Sequence, residues 1–342
     1  MKKLINPFKG LVMIAFALAP FLSMAYTGDN IEKKRTISRS YAVGPDDRLS
    51  IENSFGNVTI TTWDKNEIRV DIEIGVRANT DERAQKMMDQ ISVSDHQGGR
   101  DIDFKTEIGN MGKGKDKDNN GDDGRKFYVD YKVSMPSKNA LRIENSFGKI
   151  NIPDFAGTAS LTSKFGELKT GKIPNAKLIH VEFGKAEIGK LNNTEIIFKF
   201  NSKSTVAGLS GNSKVDVQFC SQVSLYVEPS IGDLSLFQSY STIDLKVPET
   251  LSAQFDVYTN FGSFKNKTGF HISAENEDES SGPKFDKNYS GKAGSGSSKI
   301  KIKSSFGSVR LSSDTDKSVD KEDGNNDDKD DKDDKDGDKV NL

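Results

Sequence analysis

A Phe-Gly dipeptide recurs along the middle of the chain at a constant interval, and the apolar positions around it recur with it. The dipeptide begins at Phe147, Phe165 and Phe183, so the period is 18 residues. A unit of this length cannot bury its own apolar face, so its stability has to come from stacking on neighbouring units. The apolar residues before and after the dipeptide form two columns, which are Ile143, Leu161 and Ile179, and Ile150, Leu168 and Ala186.

Each repeat predicts two short strands joined at the dipeptide. Before the dipeptide the apolar residues alternate with a period of two, and after it the alternation restarts one residue out of phase. Glycine reaches backbone angles that are closed to other residues, so we expect a bend at each glycine. The predicted corners are Phe55, Gly56, Phe147, Gly148, Phe165, Gly166, Phe183, Gly184, Phe261, Gly262, Phe306 and Gly307.

The repeat predicts an all-β fold, a single-chain β-solenoid or β-helix-like array with rungs of about 18 residues. Two degenerate copies, at Phe200-Asn201 and Phe219-Cys220, keep the strand pattern but replace the glycine. Cys220 is the only cysteine, and we favour a small core hydrophobe over a reactive thiol for it. Small polar residues two positions before the corner phenylalanines suit a scaffold role better than ligand binding, because they can bond the backbone freed by the bend. This polar column is Asn53, Asn145, Ser163, Thr259 and Ser304.

Residues 77–139 interrupt the repeat and predict an insert made of a strand, a short helix and a hairpin. The helix is indicated by Ala84, Met87, Met88 and Ile91, which recur at helical spacing. We expect the insert to cap or flank the first rung, since an exposed end of a repeat array would pair with other chains.

A glycine- and charge-rich loop lies within this insert. Asp116, Asp118 and Asn120 match the opening of a calcium-binding loop, and they are weak candidates for a metal site. The twelfth position of the motif is Phe127, where a calcium loop needs a bidentate acid. The sequence therefore favours a solvated hairpin tip, with no bound metal or cofactor.

The N-terminus has the layout of a secretory signal peptide. Lys2, Lys3 and Lys9 accompany an apolar run over residues 11–22, and Ala25 offers the small residue that precedes cleavage. A transmembrane anchor is the alternative, but the run is short for a bilayer and Pro20 interrupts it. We expect residues 1–25 to be removed, the protein to be exported, and no membrane span to remain.

The C-terminus has a different composition, which predicts a disordered acidic tail over residues 312–342. It holds 13 acidic and 6 basic side chains, net −7, and residues 1–25 carry +3. The chain total of −2 then leaves +2 for residues 26–311, the predicted repeat domain. A body so close to neutral indicates neither a nucleic-acid surface nor a strongly charged substrate.

The chain offers few candidates for catalysis. His96, His180 and His271 are scattered, and His180 is expected to face solvent because it alternates with apolar neighbours. Aligned rungs bring only mixed residues together on the outer faces, and we expect the second of these rows to form ion pairs between rungs. The two rows are Glu144, Thr162 and His180, and Lys149, Glu167 and Lys185. We therefore expect a protein that is not an enzyme.

Four segments carry a resemblance to a known family: residues 51–64, the Val/Ile strand and short helix that follow, the strand at 128–136 and residues 141–148. Together they resemble the bacterial β-strand-repeat "putative adhesin" family, a domain of unknown function. The resemblance covers roughly residues 45–311. It implies an exported, non-catalytic β-repeat protein at the cell envelope, and it supplies no catalytic residues. The acidic tail and the loop at 109–124 depart from the family pattern.

The leading hypothesis is an adhesin-like scaffold, in the periplasm or on the outer cell surface, that binds an unknown macromolecule, protein or glycan, through strand edges or a flat face. Two alternatives belong to other classes. One is a periplasmic accessory to envelope-stress signalling by sigma and anti-sigma factors. The other is a carbohydrate-active β-helix enzyme, which would need clustered carboxylates in a groove.

Overall fold

The computed structural model describes residues 31–109, 127–275 and 285–315. Within these ranges the chain is all-β, with 23 strands and one helix. The N-terminal elements are β1 (Ile31–Ala42), β2 (Arg48–Ser54), β3 (Val58–Trp63), β4 (Glu67–Ala78), α1 (Asp81–Asp89), β5 (Ile91–Gly98), β6 (Asp101–Ile108), β7 (Phe127–Pro136), β8 (Ala140–Ser146) and β9 (Lys149–Ile152). The central strands are β10 (Ala159–Lys164), β11 (Glu167–Thr170), β12 (Ala176–Glu182), β13 (Lys185–Asn192), β14 (Glu195–Lys199), β15 (Lys203–Gln218) and β16 (Gln222–Ser239). The C-terminal strands are β17 (Thr242–Val247), β18 (Ala253–Asn260), β19 (Ser263–Asn266), β20 (His271–Ala274), β21 (Asp286–Ala293), β22 (Ser298–Ser305) and β23 (Ser308–Ser313).

The central strands form two columns of parallel pairs, one on each side of the Phe-Gly corners. Strands β8, β10, β12 and β14 follow one another in the first column, and β9, β11, β13 and β15 in the second. Leu161 lies opposite Ile143 on one side and Ile179 on the other, which are the residues one repeat away in sequence. All three are fully buried, so this alternation places one face of each strand in a continuous apolar core.

The order of strands departs from the order of the chain at the C-terminal end. Strand β22 lies between β16 and β18, and β23 lies between β17 and β19, all in parallel. We call two consecutive strands joined at a corner a rung, as a name for the strand pair alone. Strands β22 and β23 are therefore inserted between rungs formed by earlier parts of the sequence. Strand β23 continues to Ser313, two residues beyond the boundary at 311 that the composition suggested.

A buried polar cluster fixes this inserted strand. Arg310 donates two hydrogen bonds of 3.1 Å to the carboxylate of Asp244 on β17. Ser312 donates a third, of 2.8 Å, and both Asp244 and Ser312 are buried. Lys246 lies beside them, with its Nζ 3.0 Å from the hydroxyl of Tyr226. Because a buried carboxylate is stable only when it is paired, the cluster ties β23 to β17.

Antiparallel strands cover both ends of the array. At the N-terminal end β4 pairs with β1 and β7, and β5 pairs with β6. At the C-terminal end β21 pairs with β18 and β20. Helix α1 lies in the region where the sequence predicted a helix, with Thr80 as the N-cap accepting a bond from the Arg83 amide. Strand β1 and its pairing were not anticipated from the sequence.

The corners turn on the aromatic residue, which corrects the prediction that glycine supplies the special backbone angles. Phe147, Phe165 and Phe183 have φ values of 59°, 53° and 54°, in the left-handed region, whereas the following glycines are not left-handed. Glycine is needed for a different reason. A Cβ at Gly166 would lie 1.9 Å from the carbonyl oxygen of Gly148, so the rungs can approach only if the side chain is absent.

The left-handed aromatic residues align their rings in one stack, and we call this stack, together with one further ring at each end, the aromatic ladder. Neighbouring rings from Phe55 to Phe261 have centroids 4.7–5.1 Å apart and planes within 7° of parallel. This spacing is that of hydrogen-bonded strands. In spatial order the ladder is Phe127, Phe55, Phe147, Phe165, Phe183, Phe200, Phe219, Tyr240, Phe306, Phe261 and Phe285, with Phe127 tilted at one end.

Replacing Gly166 by alanine tests the close approach of the rungs. The new Cβ meets a backbone oxygen that cannot move independently, so we expect a loss of roughly 1–3 kcal/mol in the free energy of unfolding. Gly44→Ala is the matched control, because no atom lies within 4 Å of a Cβ built there. Denaturant unfolding that finds the two variants equally stable would contradict the assignment.

Two substitutions of Phe183 test which corner residue carries the left-handed backbone. Both remove a ring stacked on two neighbours, at roughly 0.5–1.5 kcal/mol for each pair beyond the area buried. Only glycine relieves the left-handed strain, of roughly 1–2 kcal/mol. We therefore expect Phe183→Gly to unfold at higher denaturant concentration than Phe183→Ala, whereas a more stable alanine variant would rule the conformation out.

Candidate functional site

The aromatic ladder lies on the surface and presents ring edges to solvent. Its members from Phe147 to Phe285 are 37–53% exposed, unusually high for phenylalanine. Each interior ring is covered on both faces by its neighbours, since the planes are nearly parallel at 4.7–5.1 Å. Eight steps separate Phe55 from Phe261, so the stripe of ring edges is roughly 40 Å long at the strand spacing.

A groove of about 570 Å³ follows the middle of the ladder. The rings of Phe165, Phe183 and Phe200 line it, together with the backbone of the corner glycines. The corner glycines that line it leave no room for a side chain, because a Cβ at Gly148, Gly166 or Gly184 would lie 1.8–2.1 Å from a carbonyl oxygen of the neighbouring rung. Close packing of the rungs therefore keeps this part of the groove lined by backbone.

Charged residues lie in the groove and next to its rings, with lysine in excess. Lys149 forms an ion pair of 2.9 Å with Glu167 on the next rung, and Lys185 follows in register. This row forms an ion pair between rungs, and the pair is exposed to solvent, where such contacts add little stability. The charged residues that line the groove are Lys149, Glu167 and Lys185. Lys164, Glu182 and Lys199 directly precede the three rings in the chain, and Lys203 lies in register with Lys185.

The other row singled out from the sequence also lies in register, but it forms no polar cluster. Thr162 lies opposite Glu144 and His180. The His180 side chain is half-buried rather than open to solvent, and burial lowers its pKa. Its Nε2 lies 3.8 Å from Glu182 and has no hydrogen-bond partner. Over residues 31–109, 127–275 and 285–315, no three potential metal-ligating side chains come together.

The polar column beside the ladder bonds the corner backbone. Asn53 donates to the side-chain oxygen of Asn145 and to the carbonyl of Val129, each at 3.0 Å. Asn145 in turn donates to the carbonyl of Gly56 at 3.0 Å. Both amides are buried, so their hydrogen bonds hold successive corners at a fixed distance.

Corners without glycine use a chain of side-chain acceptors instead. The amide of Gly184 donates to the Asn201 side chain, that of Asn201 to the sulfur of Cys220, and that of Cys220 to the hydroxyl of Ser241. Cys220 is buried, and burial raises the pKa of its thiol. The role of Cys220 is structural, because its sulfur accepts the backbone amide of Asn201 where the glycine corners end.

Some members of the ladder were not predicted from the sequence. Tyr240 precedes a serine instead of a glycine, and Phe285 stands alone before β21. An aromatic residue followed by a small polar one was the available signal for Tyr240. The metal candidates Asp116, Asp118 and Asn120 lie outside the described residues, as do the signal peptide and all but the start of the predicted tail. No helix in the part of the chain that the structure describes is long and apolar enough to cross a bilayer.

No family model matches the chain, and no curated protein matches it at a significant level. Among solved structures, a "putative cell adhesion protein" from Clostridium sporogenes is similar at 13% identity and a TM-score of 0.27, with 82% of this chain and 100% of that chain covered. A "putative adhesin" from Bacteroides fragilis is similar at 11% identity and a TM-score of 0.27, with 81% of this chain and 97% of that chain covered. A "putative lipid binding protein" from Parabacteroides distasonis is similar at 10% identity and a TM-score of 0.28, with 81% of this chain and 96% of that chain covered. The first two names are consistent with the adhesin family that the sequence resembles, whereas a similarity at these TM-scores carries no conclusion about function.

Proposed function

We propose that this chain is an exported, non-catalytic binding module of the cell envelope or cell surface, and that the aromatic ladder with its groove is the binding surface. In this proposal the two columns of parallel strands are faces of a β-solenoid. The parallel pairing of residues one repeat apart, as at Leu161 with Ile143 and Ile179, supports that architecture. The partner is a macromolecule or ligand of the envelope.

The observation that carries the proposal is the exposure of the ladder. A long apolar stripe rimmed by polar residues is the usual mark of an interaction surface on a soluble protein. The backbone conformation of the corners does not by itself require aromatic rings, since glycine would adopt the left-handed conformation without strain. The left-handed rings from Phe147 to Phe306 are 37–52% exposed, and contact of their ring edges with a partner would account for this combination of exposure and strained backbone angles.

The outer faces support binding rather than catalysis. The rows beside the ladder carry lysine and glutamate in ion pairs, such as Lys169 with Glu187 at 2.7 Å. The half-buried His180 has only one carboxylate near it, that of Glu182 at 3.8 Å. A glycosidase of this architecture would need two facing carboxyl groups in a groove, whereas the lining of the groove described above holds one, that of Glu167, which is paired with Lys149.

A binding experiment with isolated envelopes tests the proposed surface. Purified residues 26–342 should sediment with cell envelopes of the producing bacterium, and the double variant Phe165→Gly, Phe183→Gly should lose at least about tenfold in affinity, roughly 1.4 kcal/mol. Phe237→Ala is the control, because Phe237 is a half-buried aromatic of β16 outside the ladder. Equal binding by both variants, with folding verified by circular dichroism, would rule the ladder out.

Export has its own test. Replacing Ala25 by tryptophan should block cleavage and leave a larger, membrane-held precursor, whereas Tyr26→Phe should mature normally, since the peptidase reads the small residues before the cleavage site. N-terminal sequencing of the abundant cellular form should begin near Tyr26. A sequence beginning at Met1 would overturn the export proposal.

A further inference from the structure

The groove combines a row of apolar ring edges with a cationic rim, and we propose that it binds one long-chain amphiphile with an anionic head group. The acyl chain lies along the edges of Phe165, Phe183 and Phe200, and the head group lies against the flanking lysines. This inference rests on the proposed function, because it assigns a ligand class to the same surface.

The stacking geometry selects against ligands that bind flat on aromatic rings. A sugar or a nucleobase stacks on an exposed ring face. The interior rings of the ladder expose none, because Phe183 has Phe165 at 4.8 Å on one side and Phe200 at 4.7 Å on the other. What remains is a row of ring C–H edges, which bear partial positive charge and offer dispersion contact to an alkyl chain.

The shape of the groove suits a linear chain. The ring edges recur at nearly equal spacing along a straight line, so each step offers the same apolar contact. The glycine corners Gly148, Gly166 and Gly184 keep the floor free of side chains. At the next rung the corner residue is Asn201, whose side chain is buried against the amide of Gly184 and the carbonyl of Val181 and so does not obstruct the groove.

The charge beside the groove suits an anionic head group. Five lysines and two glutamates flank its rings, whereas the whole chain carries a net charge of −2. Glu167 is already bound to Lys149. Lys185 is exposed at the edge of the groove and belongs to none of the ion pairs of the described residues. It is therefore the residue to which a head group would bind most directly.

The acidic C-terminal segment fits less well as the occupant. Residues 316–342 are rich in carboxylates, but their apolar residues are only Val319, Val340 and Leu342. Such a segment would neutralise the lysines and leave the ring edges in contact with water. An amphiphile satisfies both features at once, which is why we favour it.

Titration calorimetry of residues 26–342 with monomeric dodecanoate tests the proposal. We expect saturable binding of one chain, and a two- to fourfold loss of affinity for each methylene removed in decanoate and octanoate. Dodecyltrimethylammonium, with the same chain and the opposite charge, should bind at least about threefold more weakly. A series without dependence on chain length, or equal binding of the cationic chain, would overturn the assignment.

Two variants locate the site. Lys185→Glu should weaken dodecanoate at least about threefold and improve the cationic chain, whereas Lys265→Glu, the same charge change on β19, should leave both unchanged. Phe183→Gly should weaken the binding of alkyl chains of every length, whereas Phe237→Ala should leave their binding unchanged. Melting curves establish that each variant is folded before it is titrated.

The remaining outcomes separate this inference from the proposed function. Binding to phosphatidylglycerol vesicles without binding of monomeric dodecanoate would assign the surface to a bilayer, and a rise of more than tenfold in affinity after deletion of residues 316–342 would assign it to the tail. A dimer that Phe183→Gly dissociates would assign it to a second copy. Each of these outcomes would overturn the proposal that the ligand is an amphiphile. If dodecanoate fails while envelope binding still depends on the ladder, the ligand class is wrong and the binding function stands.

Discussion

The distance between hydrogen-bonded parallel strands is the constraint on which the rest of this structure depends. It brings the corner of each rung to within 4.7–5.1 Å of the next, which is also a stacking distance for aromatic rings. A left-handed phenylalanine costs roughly 1–2 kcal/mol, and a stacked pair returns roughly 0.5–1.5 kcal/mol beyond burial. An isolated corner of this kind would be strained, whereas a corner with a neighbour on each side is close to balanced. The corners thus stabilise one another.

The same distance explains the residue that follows each ring. With rungs so close, the carbonyl of one corner occupies the place where the next corner would carry a Cβ, as at Gly148 and Gly166. Where the glycine is replaced, the substitutes are Asn201, Cys220 and Ser241, whose side chains each accept the amide of the preceding corner. Along the stack, close contact between glycine corners is therefore replaced by buried side-chain hydrogen bonds, although the ladder beside them continues unchanged.

The parts of the fold that follow from local periodicity could be predicted from the sequence. The pairing of Ile143, Leu161 and Ile179 in register could be predicted because their interval of 18 residues is visible in the sequence without any knowledge of contacts. The left-handed phenylalanines could not be predicted, because glycine next to them is the residue that usually adopts this conformation. The insertion of β22 depends on pairings with β16 and β18 that no local pattern encodes. The exposure of the ladder, and with it the candidate site, likewise required the relative placement of successive rungs.

The insertion of the last rung has a consequence for the order in which the molecule can be assembled. Strands β22 and β23 fill the space between two rungs whose residues leave the ribosome earlier, so those rungs lack their native partners on that side until β22 and β23 have been synthesised. Contacts between residues far apart in sequence form slowly, because loop closure precedes any gain in contacts. The central rungs can propagate from neighbour to neighbour during synthesis. The stack of strands remains in two parts until β22 and β23 join them. Chains truncated before β22 would therefore expose open strand edges and a row of rings interrupted between Tyr240 and Phe261.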